Sequence, residues 1–166
     1  VSILNSKAKS DGGGMISKYV KKCLVIDSYF KNNYGKYGGG LWSHKTRNVV
    51  LTKSAFIGNT ADQGGGVNIE NGEHIYDSVV IIKHTKFDSN TAVMSRSGGC
   101  LLWSITLSLI TNSFFENNSA NSHGGGIYIL QNNMSVVKSS VFILNQAKYG
   151  GGLRSYQTKM LIITHS

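Results

Sequence analysis

The 166-residue chain predicts an all-β fold, a right-handed parallel β-helix of about six coils with ~26 residues per coil. Three observations carry this. Glycine runs begin at Gly12, Gly38, Gly64, Gly98, Gly124 and Gly150, at separations of 26, 26, 34, 26 and 26 residues. A Phe precedes five of them in step, at Phe30, Phe56, Phe87, Phe115 and Phe142. Between these anchors stand short β-branched and aromatic runs broken by Gly, Asn and Ser, with no helical periodicity and no proline. A unit this short cannot bury its own apolar face, so it must stack on its neighbours.

Each position of the unit has a physical reason. Six and five residues before the Phe stand apolar pairs such as Leu24-Val25, Val50-Leu51 and Ile81-Ile82, which read as a strand. Two before it comes Ser or Thr: Ser28, Ser54, Thr85, Ser113 and Ser140, with Ser166 continuing the series. Three after it comes Asn33, Asn59, Asn90, Asn118 or Asn145. In a coil of three short strands and three turns, each residue lies ~4.8 Å above its equivalent. Phe then stacks on Phe, and the Asn amides hydrogen-bond along a ladder that satisfies them when buried. The glycine runs mark close backbone approach or positive φ, with Cys100 standing for the third glycine of the fourth run. The apolar residues that follow are Met15, Leu41, Val67, Leu101, Ile127 and Leu153. Proline would delete a ladder hydrogen bond, so its absence fits. The long third interval places about five extra residues near Asn71–Tyr76 and three near Met94–Ser97, as loops.

Residues 1–166 read as a single β-helix segment. Val1-Ser-Ile-Leu-Asn5 resembles Ile143-Leu-Asn145, the tail of a unit, and the chain stops mid-unit at Thr164-His-Ser166. Neither end carries a capping unit, so the expectation is a fragment of a longer repeat protein, or ends covered by copies or partners. No apolar run of 18 residues is present to span a membrane as a helix. Cys23 and Cys100, about three coils or ~14 Å apart, are too distant for a disulfide and read as buried hydrophobes. Free thiols favour a reducing compartment.

The formal charge is +9, but the basic residues are scattered and are expected not to interleave with aromatic ones. The expectation is a solvated face and no nucleic-acid partner. The one stacked carboxylate pair is Asp88 and Glu116, each directly after a Phe, about one coil spacing apart and placed in a turn. It is a weak candidate for glycoside chemistry. His44, His74, His84, His123 and His165 have no metal-ligand spacing, and the glycine runs lack the Asp of calcium-binding solenoids. No cofactor or metal is expected. Asn117-Asn-Ser119 and Asn133-Met-Ser135 fit the N-glycosylation pattern in surface turns.

Phe-x-x-Asn followed by Gly-Gly-small-aliphatic, at Phe30–Asn33 with Gly38–Leu41 and in the four later units, resembles the repeat of chlamydial polymorphic outer membrane proteins and related pectin-lyase-like surface proteins. The Ala usual in that family's third glycine-run position is Gly or Cys here. The resemblance implies a β-helix displayed on a cell surface and used for adhesion. The expected function is a structural or adhesive solenoid of an extracellular or cell-surface protein, with no catalysis and with protein or glycan partners. A carbohydrate-active β-helix, as glycan-binding module, lyase or hydrolase, is the alternative. A stacking unit of a filament or intracellular assembly, joined end to end, is a third.

Overall fold

In the computed structural model, which describes residues 1–72 and 77–165, every strand pairs in parallel with its equivalent one coil away. The coil has four strands, not three. The first sheet stacks Ser2–Leu4, Tyr29–Lys31, Ala55–Ile57, Lys86–Asp88, Phe114–Glu116 and Val141–Ile143. The second stacks Tyr34–Tyr37, Thr60–Gln63, Thr91–Ala92, Ser119–His123 and Gln146–Tyr149. The third contains Met15–Lys18, Leu41–His44, Val67–Glu70, Cys100–Trp103, Ile127–Leu130 and Leu153–Tyr156. The fourth contains Lys22–Ile26, Asn48–Thr52, Val79–Lys83, Leu107–Thr111, Met134–Lys138 and Met160–Thr164. The second sheet escapes the strand pattern because its inward column is Gly35, Ala61, Ala92, Ala120 and Ala147, with no β-branched residue to mark it.

Those small residues exist because the glycine run lies against them. A Cβ on Gly65 would stand 2.5 Å from the Thr91 carbonyl oxygen and 2.6 Å from that of Gly98, so no side chain fits. The first position of the run needs a left-handed backbone, φ +64° at Gly64. In the fourth coil this position is Ser97, at φ 46°. The Gly65 N–H donates to Ser97 O and the Val67 N–H to Gly99 O. The fourth run is therefore Ser97-Gly98-Gly99, and Cys100 pairs with Val67 and Ile127 in the core column. Cys100 does not replace a glycine, and Leu101 belongs to the next column. A Cβ at Gly99 would meet Gly126 O at 2.3 Å, so that third position stays glycine. Counting from Ser97, the spacing to Phe115 becomes the usual 18 residues, and the insertion before the run is two residues rather than three. A register shift between Ala120 and His123 absorbs one more residue in the next coil. The other expected insertion, with Glu73, His74 and Tyr76, lies outside the described residues, as does Ser166.

The interior is built from ladders. Phe30, Phe56, Phe87, Phe115 and Phe142 stack with ring centroids 4.7, 5.3, 4.7 and 4.8 Å apart, the strand spacing expressed in side chains. Beside them run Val25, Leu51, Ile82, Ile110 and Val137 from the fourth sheet, and Leu41, Val67, Cys100 and Ile127 from the third, in one continuous cluster. The asparagines form a chain of amides. Asn33 Nδ2 donates to Asn59 Oδ1, Asn59 Nδ2 to Asn90 Oδ1, Asn90 Nδ2 to Asn118 Oδ1 and Asn118 Nδ2 to Asn145 Oδ1, at 2.9–3.0 Å. Each oxygen also receives the preceding asparagine's backbone N–H. The chain turns into this ladder through a left-handed residue in every coil: Asn32, Gly58, Ser89, Asn117 and Leu144.

The amino-terminal segment sits one residue out of the expected register. Ile3, not Asn5, enters the ladder region: it pairs with Phe30 and packs on the core, because an inward apolar side chain must fill the Phe column. Ser6 takes the asparagine place, its N–H donating to Asn33 Oδ1 at 2.9 Å.

Candidate functional site

Third-sheet strands alternate. Leu41, Val67, Cys100 and Ile127 face the core, so Trp42, Asn68, Leu101, Tyr128 and Arg154 face out in one column. His44, Glu70, Trp103, Leu130 and Tyr156 make a second outward column. A third comes from the residues directly before the glycine runs, Tyr37, Gln63, Arg96, His123 and Tyr149. The left-handed glycine turn brings this third column against the first: Tyr37 lies 5.3 Å from Trp42, and His123 stacks on Tyr128 at 5.2 Å. Leu101, Tyr128, Leu130 and Trp103 form an apolar cluster separate from the core. The outer face thus has its own packing.

Cations are seated on these rings. Lys18 lies over Tyr19 and Trp42, and Lys45 over Tyr19. Arg96 is 5.0 Å from the Trp103 ring, and Arg154 is 5.0 Å from Tyr149 and 5.7 Å from both Tyr128 and Tyr156. Such contacts each contribute about 0.5–1 kcal/mol at exposed sites. This corrects the expectation that basic and aromatic residues do not interleave: the Phe column is taken up by the core, but outward Tyr and Trp meet Lys and Arg both within a coil and between adjacent coils.

Electrostatically the face is lopsided. Its one carboxylate in these columns, Glu70, is engaged by His44 Nδ1 at 2.9 Å and Trp42 Nε1 at 3.3 Å. Burial, then Arg154 and Arg96, push the His123 imidazole below its ordinary value, so it is neutral near pH 7. Among the described residues, buried His123 Nδ1 and the buried Asn68 amide have no hydrogen-bond partner.

The sequence-derived candidates fall elsewhere. Asp88 and Glu116 are register partners in the first sheet, in strands rather than in a turn, because the left-handed residues that turn the chain come one position later. Lys86 Nζ bridges them, 2.9 Å from Asp88 Oδ2 and 3.3 Å from Glu116 Oε2. Burial raises the Asp88 carboxyl, but hydrogen bonds from Lys86, Ser89 and Asn117 outweigh it and hold the group below its ordinary value. A groove of about 510 Å³ runs along the corner of the fourth and first sheets, lined by Asp27, Tyr29, Lys53, His84, Lys86 and Phe114 among others. Asp88 and Glu116 are outside its lining. Asn117 and Asn133 are exposed, Asn117 at φ 53° in a turn. Cys23 and Cys100 are both buried and free. Among the described residues no cluster of His, Cys, Asp or Glu could hold a metal, and no helix is long and apolar enough to cross a membrane.

The outer-face columns carry no single residue type throughout, so residue identity does not mark them. The usable signal was an aromatic or imidazole residue directly before a glycine run, as at Tyr37, His123 and Tyr149.

Residues 112–130, which hold Phe115–Asn118 and Gly124–Ile127, match the Chlamydia polymorphic membrane protein repeat. No curated protein and no solved structure matches the chain. The chain thus carries a repeat of the Chlamydia polymorphic membrane protein type, wound into a parallel β-solenoid.

Proposed function

We propose that this solenoid is a structural and adhesive segment of a cell-surface or extracellular protein, and that it holds its partner on the outer face of the third sheet without catalysing a reaction. The observation that carries this reading is the concentration of Trp, Tyr, His, Lys and Arg on one outward face, over a core that needs none of them. Tyr and Trp are the side chains that dominate recognition surfaces, since they offer large rigid area at low entropic cost. The repeat at 112–130 supports surface display.

The carboxylate pair is read as structural, since Lys86 Nζ bridges Asp88 and Glu116 across neighbouring coils.

Beads coated with the chain should adhere to cultured cells. Tyr149→Ser with Tyr156→Ser should cut adhesion at least tenfold, while Lys53→Gln with Lys83→Gln, on another side of the coil, should leave it within twofold. Equal adhesion by all three proteins would defeat the proposal.

A further inference from the structure

We propose that the half of this face spanning the fourth to sixth coils binds an acidic polysaccharide, Arg96 and Arg154 taking its carboxylate or sulfate groups and Trp103, Tyr149 and Tyr156 stacking on its sugar rings. This rests on the reading of the third-sheet face as the adhesive surface. Three observations carry it.

Neither guanidinium has an ion-pair or hydrogen-bond partner among the described residues. The ion-paired acids are engaged elsewhere: Glu70 with His44, Asp77 with Arg47, and Asp88 and Glu116 with Lys86. A guanidinium lying over aromatic rings keeps its donor fork free for a planar bidentate anion. Next to both stands His123, whose Nδ1 is buried without a partner. The spacing also suits a glycan. Trp103 and Tyr156 occupy one column two coils apart, with Leu130 between them, ~10 Å or about two sugars of a pyranose chain running along the solenoid axis. Arg96 and Arg154 lie two coils apart, ~10 Å, so one anionic group on every second sugar would meet both. A nucleic acid carries a charge at every nucleotide and needs a continuous cationic track. The other cations of this face do not complete one: Lys18, Lys36 and Lys45 lie in the first two coils and Lys148 in the sixth, and the third coil between them presents Gln63, Asn68 and Glu70.

The test is calorimetric titration of the chain with heparin, polygalacturonate, neutral dextran and a 20-nucleotide oligo-dT. Binding of heparin or polygalacturonate, with none to dextran, is expected; which of the two binds identifies the anionic group as sulfate or carboxylate. Arg96→Gln with Arg154→Gln should weaken it at least tenfold with an unchanged Tm. Raising salt should weaken it with a log–log slope near two, one per arginine. No binding of either polysaccharide, full binding by the double variant, or tighter binding of oligo-dT would overturn the inference, the last in favour of a single-stranded nucleic acid. Bead adhesion separates this from the broader reading. If beads still adhere to cells enzymatically stripped of acidic glycans, yet lose adhesion with Tyr149→Ser and Tyr156→Ser, the face is adhesive and the glycan inference falls.

Discussion

Asn90→Ala is the perturbation whose cost can be worked most fully. Asn90 is fully buried. Its Nδ2 donates to Phe56 O at 2.8 Å and to Asn118 Oδ1 at 2.9 Å. Its Oδ1 accepts the backbone N–H and the Nδ2 of Asn59, each at 3.0 Å. Alanine removes four hydrogen bonds at about 1 kcal/mol net each, and leaves a buried Asn59 N–H and Phe56 carbonyl unsatisfied for a further ~1–2 kcal/mol. The expected loss is about 5–6 kcal/mol, comparable to the entire stability of many domains. Asn145 provides the internal control. It makes three such bonds but is only half-buried, so water can replace them and Asn145→Ala should cost about 1–2 kcal/mol. Urea unfolding followed by circular dichroism gives both values, provided the slope m is unchanged between variants. A loss under about 1 kcal/mol for Asn90→Ala, or equal losses at the two sites, would refute the ladder as a cooperative buried element.

Three further outcomes are expected. Gly65→Ala places a methyl 2.5 Å from the Thr91 carbonyl and should cost about 3 kcal/mol, the upper end of overpacking, read as a fall in the urea midpoint. Cys100→Val should stay within about 1.5 kcal/mol of wild type, because it swaps one core-column residue for the type found at Val67; its thiol, pushed well above the ordinary range by burial, should react with a thiol reagent only on unfolding. Stability should change in two pH windows. Asp88 is lowered by folding, so its contribution is complete above its unfolded value near 3.8 and is lost as pH falls through the folded value; Lys86→Gln should flatten that limb. His123, facing Arg96, Arg154, Tyr128 and Tyr149, is also lowered, so stability should already decline below about pH 6.5. His123→Gln should abolish that earlier decline in a pH series of melting curves.

The stacked core was legible because every coil solves the same problem with the same residue. Phe must fill one corner and Asn must satisfy one turn, so identity repeats where geometry repeats. The register of the fourth run was not legible, because a glycine count treats as equivalent two different needs, positive φ and close approach. Ser97 meets the first need without being glycine, which shifted Cys100 into the wrong column. The second sheet was hidden by its small inward column, whose identity is set by the glycine run packed against it. The binding face was hidden for the opposite reason. Outward positions have no shared packing problem, so Tyr37, Arg96, His123 and Tyr149 share a column without sharing a chemistry, and only coil-to-coil register assembles them.

The two tryptophans of the chain, Trp42 and Trp103, both belong to that face, which makes intrinsic fluorescence the most direct test of it. Trp42 is 5% exposed, whereas Trp103 is partly open beneath Arg96. Titration with the bound polysaccharide should shift or quench the emission in wild type and in Trp42→Phe, and leave Trp103→Phe nearly silent. Binding at full affinity with no change in tryptophan emission would place the partner on another side of the solenoid and contradict the account.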